Sequence, residues 1–315
     1  MKYKILRRIA KTLLRYLARL PLLDKLVANM LEKRNFAREY HHEILLLRGK
    51  HETSNSHQSI VFFTLYRGAS SYVSDLLWVL AREEGVTLIN LEGYFWNGGG
   101  SENGLSPPDQ WEKIVYKQKG YLYGPINIFN GPFRIYFEEI PSLEKYKVIL
   151  MLRDPRDVLV SAYFSTAYSH RMPRRNPSEA NRLRTAREEA LRMTIDEHVL
   201  KEADVVSDIY LRCCQKLLNK SYVLFVKYEE MVNDFESWLD KIIDFAEFHP
   251  SEKIRSEIMR GANFKVEKEN IYAHKRQVTP GDHRRKLKIE TIDALNANFR
   301  NILEQLSYRE EVQFI

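Results

Sequence analysis

The sequence has little cysteine and no long apolar run. Its only cysteines are Cys213 and Cys214, and adjacent cysteines seldom pair because they do not readily reach disulfide geometry. Neither a disulfide framework nor a cysteine zinc site is expected. The longest apolar stretches, such as 60–66 and 148–152, fall far short of the roughly 20 residues that span a bilayer. These absences predict a soluble protein of a reducing compartment, with the cytoplasm as the expected location.

Acidic residues are also in the minority. The 315 residues carry 49 Lys and Arg against 42 Asp and Glu, a net charge of +7. This excess favours anionic partners, which include nucleotides, acidic glycans, anionic lipid and nucleic acid. Because no helix-turn-helix, zinc or aromatic-basic motif is present, no nucleic-acid partner is expected.

Residues 1–57 are predicted to form an N-terminal basic amphipathic helical extension, followed by one domain at 58–315. The first acidic residue is Asp24. Apolar residues recur at helical spacing before it, at Ile5, Ile9, Leu13, Leu17 and Leu20. Three readings stay open: a helix packed on the domain or on a second copy in a homodimer, peripheral contact of residues 1–24 with anionic membrane, and a cleaved organelle-targeting peptide.

The pattern of the domain predicts strands that alternate with helices. Strands are predicted at 59–66, 86–91, 147–152 and 222–226, and helices at 71–82, 155–169, 196–218, 238–248 and 292–306. Such alternation is typical of an α/β fold with three layers, in which helices cover both faces of a mostly parallel sheet. The arginine-rich segment 170–184 is expected to be a lid or a solvated loop.

A first candidate anion-binding loop lies between the first predicted strand and the next helix. It reads Tyr-Arg-Gly-Ala-Ser-Ser-Tyr over residues 66–72. Small residues let backbone amides turn toward a phosphate, the helix N-terminus adds its dipole, and Arg67 supplies a positive charge. The Walker spacing is missing, and an ordinary turn with a helix-capping serine explains the loop equally well.

A second candidate loop follows the predicted strand 147–152. It reads Arg-Asp-Pro-Arg-Asp-Val-Leu-Val-Ser over residues 153–161. Asp154 can cap the next helix and Pro155 suits its first turn. Arg153 is then left at the carboxyl edge of the sheet, where ligands of open α/β folds bind. The alternative is a capped helix with surface arginines.

Together the loops resemble the nucleotide-binding motifs of the sulfotransferase superfamily that uses 3′-phosphoadenosine-5′-phosphosulfate (PAPS). Residues 67–72 resemble its 5′-phosphosulfate loop, and 153–161 match its 3′-phosphate motif at every defined position. Residues 222–231 and 274–283 resemble its Tyr-Glu-Asp-Met turn and its Arg-Lys-Gly and Gly-Asp-Trp segment. Four matches in family order, covering roughly 58–308, identify the sequence as a member.

The resemblance implies a P-loop-like nucleotide-binding fold and assigns the donor site. The 5′-phosphosulfate loop comprises Arg67, Gly68, Ala69, Ser70, Ser71 and Tyr72, and the 3′-phosphate contacts are Arg153, Ser161 and Arg276. Arg67 is also the implied catalytic cation, with no metal required. An arginine at this position is shared with Golgi carbohydrate sulfotransferases.

The resemblance leaves the catalytic base open. The histidine segment of cytosolic members is absent, and Asn-Gly-Pro at 130–132 stands in its approximate place. Heparan-type members use a glutamate after the second strand, and Glu92 occupies a similar segment, with a surface carboxylate as the alternative. Glu138, Glu139 and then His170 are the reserves.

The predicted activity is sulfuryl transfer to a hydroxyl or amine acceptor, with carbohydrate or another anionic molecule as the candidate class. Two departures from the family pattern bear on it: Gly68-Ala69 replaces Ser-Gly, and Gln277-Val278 replaces Lys-Gly. They motivate the alternative of a non-catalytic protein that binds nucleotide or a membrane surface. A phosphotransferase is disfavoured, because the Walker lysine and an obvious magnesium-binding carboxylate are missing.

Overall fold

The computed structural model describes residues 21–50, 57–97, 127–134, 142–173 and 176–308. The chain divides into two compact units, Met1–His51 and Glu52–Ile315. The predicted boundary at 57 and 58 stays a prediction, as do the membrane and homodimer contacts of residues 1–24. The predicted amphipathic helix before residue 21 lies outside the described residues.

In the first unit, helix α1 spans Pro21–Glu39 and helix α2 spans His41–Leu47. Within the described ranges, no helix is both long and apolar enough to cross a membrane.

Within the described residues, the second unit is built on a five-stranded sheet in which every pairing is parallel. The strands are β1 (Ile60–Thr64), β2 (Thr87–Ile89), β3 (Ile128–Phe133), β4 (Lys147–Leu152) and β5 (Val223–Lys227). Their order is β2-β3-β1-β4-β5. Strands β1, β3 and β4 are buried almost throughout, as expected for the centre of a parallel sheet. The predicted parallel sheet is confirmed.

Helices follow most strands. They are α3 (Ser70–Glu83), α4 (Leu91–Trp96), α5 (Pro155–Phe164), α6 (Pro177–Arg192), α7 (Ile195–Leu217), α8 (Tyr228–Asn233), α9 (Phe235–Ala246), α10 (Glu252–Gly261), α11 (Asp282–Lys286) and α12 (Ile289–Gln305). A π-helical turn, Ser165–Ser169, extends α5.

Two groups of helices enclose the sheet and confirm the predicted three-layer α/β fold. Helices α3 and α9 share one core with β1 and β4, in which Leu77 and Trp238 are almost fully buried. Helices α5, α7 and α12 pack against one another. Because all strands run in parallel, the loops after β1, β3 and β4 start at the same edge of the sheet, where the candidate ligand residues gather.

The alternative of a solvated loop is wrong from Pro177 onward, because α6 begins there, and the lid stays a prediction. The Asn176 side chain accepts a hydrogen bond from the Glu179 backbone N–H, and Pro177 suits the first turn. Ala180 and Leu183 are buried on one face of this helix. The helical spacing of these apolar residues is difficult to recognise in the sequence, because arginine is abundant at the other positions.

Candidate functional site

The loop after β1 ends in an uncapped helix N-terminus. The N-cap residue of α3 is Ala69, in a left-handed conformation with a φ of 59°, and no side chain caps the helix. The Val73 backbone N–H donates to the Ala69 carbonyl oxygen at 3.0 Å. The three amides before Val73, from Ser70 to Tyr72, therefore have no acceptor within the helix. A serine-capped turn is not what forms here.

Backbone geometry constrains residues 68 and 69, where Gly-Ala replaces the Ser-Gly of the family pattern. A Cβ added to Gly68 would lie 3.2 Å from the Thr64 Oγ1 atom, so this position favours a small residue. Ala69 adopts a left-handed φ that a glycine adopts without strain and that costs alanine about 1 kcal/mol. The loop thus keeps its turned backbone although the family glycine is displaced by one position.

The loop after β4 joins the first loop through Arg153. Asp154 caps α5 by accepting from the Arg156 backbone N–H at 2.9 Å, which confirms the predicted cap. Arg153 is only 4% exposed, so it is not a surface arginine. Its Nη1 atom donates to the Arg67 carbonyl oxygen at 3.1 Å, and its guanidinium lies 4.3 Å from the centre of the Tyr228 ring. The two candidate anion-binding loops are therefore directly connected.

Asp157 holds Arg153 and the C-terminal motif together. Its carboxylate accepts from Arg153 Nη2 at 3.3 Å, from the Gly281 backbone N–H at 2.8 Å and from the His283 backbone N–H at 2.9 Å. His283 Nδ1 lies 2.6 Å from Oδ1 of Asp157 and carries the proton, since a carboxylate can only accept. Burial opposes ionisation, but the contacts with His283 and Arg153 hold the pKa of Asp157 well below its usual range.

Arg276 belongs to the same assembly. It forms ion pairs with Glu269 and Asp282, and its guanidinium lies 4.1 Å from the centre of the Phe164 ring. The Gln277 side-chain oxygen accepts from the backbone N–H groups of Val278 and Thr279. Gln277 therefore stabilises its own turn, where the family lysine would present a charge.

One cavity of about 490 Å³ brings most of the sequence-predicted residues together. From the first loop it is lined by Arg67, Ala69, Ser70, Ser71 and Tyr72. From the later motifs it is lined by Arg153, Ser161 and Arg276. Gly68 and Glu92 do not line it.

Glu92 lies in the first turn of α4 and is held by Arg134, a residue that the sequence analysis missed. Arg134 donates to the two carboxylate oxygens of Glu92, from Nη1 at 2.7 Å and from its backbone N–H at 2.9 Å. Its Nε donates to the Ser70 hydroxyl at 2.9 Å. Glu92 is thus connected to the first loop through one guanidinium. The reserve candidates Glu138 and Glu139 lie outside the described residues.

His170, the last reserve base, lies beside Arg67. Its Nδ1 atom is 2.9 Å from Arg67 Nη2. Burial lowers the pKa of His170 to about 4, reinforced by the charges of Arg67 and Arg187. His170 is therefore neutral at ordinary pH. No group of three or more His, Cys, Asp or Glu suited to a metal occurs among the described residues.

We expect Asp157→Asn to destabilise the protein, because Arg153 would keep a buried charge without its carboxylate. Breaking such a pair typically costs about 3 kcal/mol of unfolding free energy. Because the pKa of Asp157 is lowered in the folded state, its contribution is present above the ordinary carboxyl pKa and is lost as pH falls. Urea unfolding of the variant should therefore depend less on pH in the acid range.

The matched control is Asp234→Asn. Asp234 caps α9 from a fully exposed position, and asparagine is an equally good cap, so its unfolding should stay close to that of the native chain. Equal unfolding of both variants would contradict the assignment of Asp157 as the residue that ties these segments together.

The fold and the cavity together define a class of protein. The protein is an α/β protein with a parallel sheet, in which an uncapped helix N-terminus and buried arginines line one cavity suited to an anionic ligand. A family model described as the sulfotransferase domain matches residues 138–299, just over half of the chain. The chain therefore belongs to the sulfotransferase family.

A solved sulfotransferase structure shares the fold. Mouse sulfotransferase SULT7A1 complexed with PAP is 18% identical, with a TM-score of 0.51 over 84% of this chain and 94% of that chain. Retinol dehydratase in a complex with retinol and PAP is 15% identical, with a TM-score of 0.46 over 82% of this chain and 84% of that chain. No curated protein matches the chain. At 18% identity the comparison with SULT7A1 supports the fold alone.

Proposed function

We propose that this protein transfers the sulfuryl group of PAPS to a hydroxyl or amine acceptor, without a metal. The observation that carries the proposal is the hydrogen bond from Arg153 to the Arg67 carbonyl oxygen, which fixes two candidate anion-binding loops beside one cavity. A nucleotide with phosphates at its 3′ and 5′ positions matches two such loops.

The residues present fit this donor. The Nε atom of Arg153 is buried without a hydrogen-bond partner among the described residues, although Arg153 lines the cavity. A buried donor without a partner costs free energy, which a phosphate oxygen would recover. The amides at the start of α3 offer further donors on the cavity wall, with the positive end of the helix dipole behind them.

Each residue has a defined task in the proposed reaction. Arg153, Ser161 and Arg276 bind the 3′-phosphate, and the loop of residues 67–72 binds the 5′-phosphosulfate. The bound donor supplies the sulfuryl group and a phosphate leaving group. Arg67 places positive charge near the oxygen on which negative charge develops, which lowers the barrier more than ground-state binding would.

We assign removal of the acceptor proton to Glu92, which Arg134 holds beside the first loop. A carbohydrate is our proposed acceptor class. Burial lowers the pKa of His274, a residue of the cavity wall, and the positive charges of Arg67, Arg171 and Arg134 lower it further, which shows a positive potential at this wall. Such a potential suits an acidic sugar better than an apolar alcohol.

Binding of 3′-phosphoadenosine-5′-phosphate (PAP), the donor's product, tests the donor assignment. Calorimetry should detect binding of PAP that is much tighter than that of adenosine 5′-phosphate or ATP. Arg153→Ala should weaken PAP binding by about 10- to 100-fold, the usual range for a hydrogen bond to a charged group. The same substitution should change the affinity for adenosine 5′-phosphate little, because this nucleotide has no 3′-phosphate.

Arg156→Ala is the matched control for Arg153→Ala. Arg156 is also buried, but it pairs with Asp154 and Asn296 and does not line the cavity. We expect its loss to lower stability without changing the affinity of the folded protein for PAP. Equal affinities for PAP and adenosine 5′-phosphate would contradict the donor assignment. PAP binding without turnover of any acceptor would favour the non-catalytic alternative.

A further inference from the structure

His170 and Arg67 form a contact that the proposed chemistry leaves without a role. Arg67 Nη2 lies 2.9 Å from His170 Nδ1. Because a guanidinium can only donate, Nδ1 must be the acceptor and carry no proton. A neutral His170 then has its proton on Nε2, so Nδ1 cannot take up a proton from an acceptor while Arg67 occupies it.

The backbone and ring of His170 are fixed from several sides. Its backbone N–H donates to the Ser165 carbonyl oxygen at 2.8 Å, which closes the π-helical turn. Arg187 Nη2 donates to the His170 carbonyl oxygen at 2.6 Å. Trp96 packs edge-on against the imidazole, with 5.7 Å between ring centres. The acceptor atom offered to Arg67 is therefore held in a defined position.

Arg67 differs from the other arginines of the cavity wall in the charge of its partner. Arg153 pairs with Asp157, and Arg276 pairs with Glu269 and Asp282. Within the described part of the chain, the Arg67 guanidinium pairs with no carboxylate and its partner is an imidazole. Burial and the charges of Arg67, Arg187, His274 and Arg134 lower the pKa of His170 to about 4, so this partner stays neutral.

We propose that His170 is a positioning residue, which orients the Arg67 guanidinium without neutralising its charge. A carboxylate in the same place would hold the side chain equally well but would offset the charge that the transition state requires. An apolar residue would leave the charge intact but would let the guanidinium move. The role rests on the proposed function of Arg67.

Three substitutions separate these requirements. His170→Phe keeps a ring against Trp96 and removes the acceptor, and we expect kcat to fall about 10-fold, as for loss of one hydrogen bond to a charged group. His170→Asn places an amide oxygen where Nδ1 stands and should recover most of that loss. His170→Asp places an anionic oxygen there, and its kcat should fall at least as far as that of His170→Phe.

The readouts distinguish positioning from a structural role. PAP affinity, measured by calorimetry, should change less than about 3-fold in all three variants, so that the loss appears in kcat. The control is His198→Phe, since His198 is a buried histidine against the Tyr163 ring and does not line the cavity. Its kcat should match that of the native chain. Equal turnover of His170→Asn and His170→Asp, or an unaffected His170→Phe, would overturn the proposal.

A measurement without turnover separates this inference from the proposed function. In nitrogen-15 NMR of the ligand-free protein, His170 should be the tautomer protonated on Nε2, and Arg67→Ala should perturb its Nδ1 signal. A proton on Nδ1 in the native chain would refute the contact even if the enzyme were active. If His170 were protonated on Nε2 but the protein bound no PAP, the contact with Arg67 would stand and the donor assignment would be wrong.

Discussion

Replacing Arg67 with alanine is expected to lower turnover by about 100- to 1000-fold, the usual effect of removing a group that stabilises charge in the transition state. Arg67 lines the cavity and is fixed at both ends, by Arg153 at its carbonyl oxygen and by His170 at its guanidinium. Burial and the charge of Arg134 lower its pKa to about 10, so it remains cationic at neutral pH.

The measurement is single-turnover kinetics with saturating donor, which isolates the transfer step. Arg67→Lys keeps a charge but loses the planar contact with His170, so an intermediate rate is expected. Arg182→Ala is the control, because Arg182 is an exposed arginine outside the cavity wall. A near-normal rate for Arg67→Ala would remove Arg67 from the catalytic role.

Replacing Glu92 with glutamine is expected to lower kcat by about 100-fold or more, as for loss of a general base. Glutamine keeps the shape of the side chain and can accept one of the two hydrogen bonds that Arg134 donates, so α4 should fold as before. Because the assigned role is proton removal, the loss should appear in kcat while PAP affinity is kept.

Glu179→Gln is the matched control for Glu92→Gln. Glu179 is likewise a glutamate paired with an arginine, Arg182, and it lies in α6, outside the first loop. Its replacement should leave kcat near that of the native chain. If Glu92→Gln turned over at the native rate, the base would have to be another residue. The acid limb of the pH profile, recorded for both variants, would show whether a carboxylate still controls the rate.

The positions of the two candidate anion-binding loops could be predicted because their signals are local. A helix cap such as Asp154, followed by proline in the first turn, depends on residues adjacent in sequence. The predicted strand 147–152 lies at Lys147–Leu152, since a run that is apolar, too short for a helix and followed by a turn signal favours a buried strand. Boundaries of the other predicted strands shift by a few residues.

Strand β3 could not be predicted in the same way, because Gly131 and Pro132 interrupt its apolar pattern. Pairing with β1 and β2 overrides these local preferences. Gly131 adopts a φ of 151°, and an added Cβ would lie 2.8 Å from the Phe62 carbonyl oxygen, so glycine is required by a neighbouring strand. Arg134 was missed for the same reason, since it follows an unrecognised strand.

The sequence by itself determined the class of fold, the two loops and the family, because these depend on short motifs and on hydrophobic periodicity. Only the tertiary structure decided which polar and charged side chains face one another. The pairs Arg134 with Glu92, Arg67 with His170 and Asp157 with His283 join residues that are distant in sequence. No local pattern encodes these contacts, because each depends on how parallel strands and their following loops are stacked side by side.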